Sequence, residues 1–81
     1  MSLISQIMHS AWKTQAVEEN DKFIEVVEIL INSELFEQLF LEPDAQYFIY
    51  LDQEMSKWRL CGILLVEDMN IKEWEVVTKK N

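Results

Sequence analysis

The chain has 81 residues, a formal charge of −8 and 49% apolar residues, among them three Trp, four Phe and two Tyr. That length allows one small domain, residues 1–81, and the apolar content excludes a disordered acidic tail. Gly62, Pro43 and Cys61 are each the only residue of their kind, which excludes Gly-rich phosphate loops, flexible linkers and a disulfide framework.

In chain order, Leu3, Ile4, Ile7, Met8, Ala11 and Trp12 recur at helical spacing, with Ser5, Gln6, His9, Ser10 and Lys13 opposite. This predicts an amphipathic helix from an N-cap at Ser2 to about Ala16. From Asp21 to Ile31 the apolar residues Phe23, Ile24, Val26, Val27, Leu30 and Ile31 again form a helical arc. On that helix Glu18, Asp21, Glu25 and Glu28 would stack into an acidic ridge. The phase changes after Asn32, so the element breaks there, and a short helix capped by Ser33 follows and ends before Pro43.

The second half is rich in β-branched and aromatic residues, in runs at Tyr47–Leu51, Lys57–Val66 and Trp74–Thr78. Loops of about five residues between them fit two hairpins. The expected fold class is therefore α+β, with two or three N-terminal helices packed on a three-stranded antiparallel β-meander. An all-α four-helix bundle is the rival, because Phe48, Leu51, Met55 and Trp58 also fit helical spacing. In the middle strand Trp58, Leu60, Leu64 and Val66 share one face and Cys61, Ile63 and Leu65 the other. Helices covering the first face would leave Cys61, Ile63, Leu65 and Val77 as an apolar interface for a homodimer or a partner protein. Trp12, Trp58 and Trp74 fall on arcs assigned to the interior.

No catalytic set emerges. His9 is the only histidine and lies far in sequence from Cys61, and the pairs Asp52/Glu54 and Glu67/Asp68 fall in expected turns. No metal site is expected without a second Cys or His or a calcium-loop glycine, and no cofactor motif is present. Lys57, Trp58 and Arg59 are the only basic–aromatic cluster, too little for direct nucleic-acid binding in so acidic a chain. The lone Cys, the absence of a signal-like N-terminus and the shortness of every apolar run point to a cytoplasmic protein that does not enter the membrane.

The acidity is local. Between Thr14 and Ser56 eleven acids face the single base Lys22, while the rest of the chain is net positive. A middle segment of this kind attracts basic proteins. In size and charge, though in no motif, the chain resembles small acidic inhibitors of phages and mobile elements, such as uracil-DNA glycosylase inhibitors and some anti-CRISPR proteins. On a helix, carboxylates three or four residues apart recur every roughly 4.5–6 Å, comparable with the charge spacing of a nucleic-acid backbone, so Glu18, Asp21, Glu25 and Glu28 are expected to form a DNA-mimic surface. The expected function is a non-enzymatic protein-binding module, inhibitory through that surface, with an accessory subunit that homodimerises through its sheet as the alternative.

Overall fold

The computed structural model describes residues 2–15 and 24–80. Helix α1 (Leu3–Gln15) buries Ile4, Ile7, Met8 and Ala11, an i, i+3, i+4, i+7 stripe. Its first turn is held from two directions. Ser2 Oγ accepts from the Ser5 N–H at 3.1 Å, and the Glu42 carboxylate, far along the chain, accepts from the Leu3 and Ile4 N–H groups at 3.1 and 2.8 Å. Two donors that a helix start leaves unpaired are thereby satisfied, and a negative charge sits at the positive end of the helix dipole.

The segment expected to be the second helix is a strand, β1 (Ile24–Ile31). Five of its eight residues are β-branched, and it is paired on both sides, where apolar residues suit both faces. Helix α2 (Ser33–Leu41) begins one residue earlier than the sequence suggested, because the cap is Asn32, whose side chain accepts from the Glu34 N–H at 2.9 Å. The Asn32 side chain also donates to the Ile71 carbonyl, and its backbone N–H donates to the Glu73 carbonyl, both at 2.8 Å. One residue thus fixes the start of α2 against the loop before the last strand. Glu42 ends α2 in extended backbone ahead of Pro43, as expected.

A single turn, α3 (Ala45–Phe48), precedes β2 (Ile49–Asp52). The expected long strand at Lys57–Val66 is divided into β3 (Lys57–Leu60) and β4 (Ile63–Glu67) by a two-residue turn. Cys61 and Gly62 occupy that turn at φ +50° and +85°, the positive-φ pair of a type I′ hairpin. The chain then crosses the sheet to β5 (Trp74–Lys80).

The α+β class holds, but the expected hairpin joining Lys57–Val66 to Trp74–Thr78 is not formed, because β1 inserts between β4 and β5; the antiparallel meander is β2, β3 and β4, within a five-stranded sheet of order β2-β3-β4-β1-β5. β1 runs parallel to β4 and antiparallel to β5. The helices pack on one face of this sheet, where Ile4, Ile7, Met8 and Leu39 meet Ile29, Ile31, Ile49, Leu60 and Leu65. Among the described residues no helix is long and apolar enough to cross a membrane.

Because the Glu42 carboxylate joins the end of α2 to the start of α1, Glu42→Ala should cost about 1–2 kcal/mol. For a domain of this size the melting temperature should fall by roughly 5–10 °C, and Glu42→Gln, which keeps an acceptor, should fall less. Equal melting of all three proteins would show that the contact contributes nothing.

Candidate functional site

Strand register decides which side chains reach the surface. Of the four acidic residues singled out in the sequence, Glu18 and Asp21 lie outside the described residues, and Glu25 and Glu28 stand on β1. A helical ridge is therefore not formed by Glu25 and Glu28. A register shift between Val26 and Glu28 marks a β-bulge at Val27, which returns Val26 to the buried side with Ile29 and Ile31. The same shift puts Glu25 and Glu28 together on the opposite face, beside Lys79 and Val77 respectively.

The apolar face nominated from the sequence is also rearranged. With Cys61 and Gly62 in a turn, Leu60 pairs with Ile63 across the hairpin, so Leu60, Ile63 and Leu65 all face the helices. Cys61 is exposed at the hairpin tip. Of the four nominated residues only Val77 stands on the face without helices, opposite Glu28 and accompanied by Leu30, Leu64 and Val66. These four apolar side chains are half-buried, and Tyr50, Asp52, Lys57 and Arg59 complete that face toward the β2 edge. Arg59 is tied down there: its Nε donates to Asp52 Oδ2 at 2.8 Å, one terminal nitrogen to the Gly62 carbonyl and the other to Met55 Sδ. The Arg59 hydrogen bond, assisted by the Met55 and Glu54 N–H groups, holds the Asp52 carboxyl below its ordinary 3.8. Ionised Asp52 therefore supports the fold above that value, and its contribution is lost as pH falls through the depressed one.

A second surface was not foreseen. Eight of the eleven large apolar side chains most exposed among the described residues belong to positions 40–58: Phe40, Leu41, Tyr47, Phe48, Tyr50, Leu51, Met55 and Trp58. Phe36, Phe40 and Trp58 form an edge-to-face chain with centroids 5.1 and 4.9 Å apart, and Leu51 pairs with Trp58 across the β2–β3 ladder. From Asn32 to Ser56 the chain holds six acids and no base. Trp12 and Trp58, assigned to the interior from the sequence, are both on the surface, and only Trp74 packs against the core.

A pocket of about 300 Å³ opens between α1 and the β3–β4 turn. Ile4, Met8, Trp12 and Phe48 give it apolar walls, and His9, Asp44 and Cys61 all line it. Folding thus brings the only His and the only Cys to one pocket. Partial burial nevertheless pushes the Cys61 thiol above its ordinary value, the reverse of what nucleophilic activation needs. Among the described residues no three His, Cys, Asp or Glu side chains are grouped to hold a metal ion. Comparison with protein-family models, curated proteins and solved structures gives no match.

The raised thiol has a direct readout. Iodoacetamide should modify Cys61 at neutral pH more slowly than it modifies an unstructured cysteine peptide, and the half-maximal rate should lie at higher pH than for the peptide. Faster modification at neutral pH would reveal an activated thiolate and favour a His9–Cys61 pair.

Proposed function

We propose that the protein is a non-enzymatic binding module that holds a basic partner protein on the aromatic surface between α2 and β3. The observation that carries this reading is the edge-to-face chain of Phe36, Phe40 and Trp58 with Leu51 beside it, next to a stretch, residues 32–56, that holds six acids and no base. Contiguous exposed aromatics mark interaction surfaces, and aromatic residues supply most of the strong anchors known in protein interfaces. Carboxylates at Glu37, Asp44 and Glu54 are exposed beside them, and Asp52 is already neutralised by Arg59. The complementary occupant is a polypeptide segment whose apolar side chains fill the surface and whose Lys or Arg residues meet the carboxylates.

The DNA-mimic form of the inhibitor reading relied on carboxylates at helical spacing. On a strand Glu25 and Glu28 are separated by roughly 10 Å along the chain direction, so the favoured contact moves to the aromatic surface. The raised Cys61 thiol supports leaving catalysis out of the proposal.

Leu41 and Tyr47 are 83% and 73% exposed, so their truncation should spare the fold. A partner isolated from the native host on the wild-type chain should bind the Leu41→Ser/Tyr47→Ser variant at least about tenfold more weakly, and should dissociate as salt rises. Undiminished affinity in that variant, or an acidic partner, would exclude this surface.

A further inference from the structure

We infer that two copies of the chain associate, about a two-fold axis parallel to β4, through the sheet face on which none of the described helices packs. Along the sheet, one row of side chains on this face reads Tyr50, Arg59, Leu64, Glu28, Val77, each adjacent pair in direct register. Turning a second copy over about an axis along the central strand β4 sets that row against its own reverse. Arg59 then faces Glu28 of the other copy, twice by symmetry, Tyr50 faces Val77, and Leu64 meets Leu64 on the axis. In the neighbouring row Val66 likewise meets Val66, Lys57 lies over Leu30, and Asp52, held by Arg59, comes opposite Glu75. Aligned packing of two sheets at about 10 Å separation has this geometry.

Charge favours the same occupant. The chain carries −8, yet this face holds Glu25, Glu28, Asp52 and Glu75 against Lys57, Arg59 and Lys79, so it is close to neutral. The β1 and β5 side of the apolar centre carries Glu25, Glu28, Glu75 and Lys79, net −2, and the β2 and β3 side carries Asp52, Lys57 and Arg59, net +1, so each half of one copy meets the half of opposite net charge in the other. The three hydrogen bonds of the Arg59 guanidinium occupy three of its five N–H groups, leaving two for a carboxylate of the other copy.

Area sets the strength. Five strands about 4.8 Å apart and four to eight residues long present roughly 400 Å² per copy, about 800 Å² in total and below the size of stable specific interfaces, so the dimer is a weak one that should form only at high micromolar concentration or above.

The test uses the full chain in three forms. Sedimentation velocity from micromolar to millimolar concentration should show a monomer–dimer equilibrium in the wild type and a monomer in Glu28→Arg. Combining Glu28→Arg with Arg59→Glu should restore the dimer, because the facing pair is exchanged. In a Cys61→Ser background, Leu64→Cys should cross-link to a covalent dimer on mild oxidation and Leu41→Cys should not, since Leu41 is on the helix side. A wild-type monomer at millimolar concentration overturns the inference, as does cross-linking by Leu41→Cys as efficient as by Leu64→Cys. Should the charge variants unfold, the cross-link decides alone. Partner binding at the aromatic surface rests on Phe40, Leu41, Tyr47, Leu51 and Trp58, none of which stands in the dimer rows, so either idea can fail without the other.

Discussion

A strand exposes alternate side chains to opposite faces, and in this sheet that parity governs everything built on it. Two single-step irregularities set the parity. The bulge at Val27 turns Val26 toward the helices and Glu28 away from them. Without it either Val26 would leave the core or Glu28 would enter it, and an unpaired buried carboxylate costs several kcal/mol in a fold whose whole stability is of order 5–15 kcal/mol. The Cys61–Gly62 turn does the same for β3 and β4. An unbroken strand would alternate Leu60 with Cys61 and Ile63 with Leu64, leaving each face half supplied, whereas the turn delivers Leu60, Ile63 and Leu65 to one side.

These irregularities also explain what could be read from the residues and what could not. The first helix, the helix ending before Pro43, the α+β class and the positions of the later strands follow from periodicity, proline sterics and β-branched content, all local signals. The bulged strand imitates a helix because two adjacent apolar residues, Val26 and Val27, followed by Leu30 and Ile31, produce spacings of three and four. Its β-branched content was the discriminating signal, since Ile24, Val26, Val27, Ile29 and Ile31 favour extended backbone even where the spacing suits a helix. Cys61 before Gly62 hides a hairpin that Asn-Gly would have announced, because a cysteine at positive φ has no local advantage. The open sheet face was legible as an idea, and parity moved it from Ile63 and Leu65 to Leu64 and Val66. The aromatic surface was not legible, because exposure of Phe40 or Tyr47 depends on how elements distant in sequence stack.

Small size makes each element necessary to the others. Among the described residues the five fully buried large side chains, Ile7, Ile29, Ile31, Leu39 and Leu60, come from α1, β1, α2 and β3, so the core is shared between elements. With no disulfide to join them, long-range polar contacts take that part. Glu42 holds the start of α1, Asn32 holds the loop before β5, and Trp74 Nε1 reaches Ser10 Oγ at 3.4 Å. Each contact satisfies a group at an element end that would otherwise need water, and each therefore fixes orientation as well as stability.

The sheet, finally, separates two kinds of surface by charge. The face that none of the described helices covers is close to neutral, while the helix side carries exposed aromatics among carboxylates, and the two proposals rest on that division. Pairing through the bare face would place the helix layers on the outside of the dimer, so the two aromatic surfaces would point away from each other. Such a dimer could not close both surfaces on one compact epitope, but it could bridge two partner molecules or two distant segments of one. Tethering would then raise the effective concentration of the second contact and allow a weak individual interaction to hold tightly, which fits a chain too small to offer one large interface.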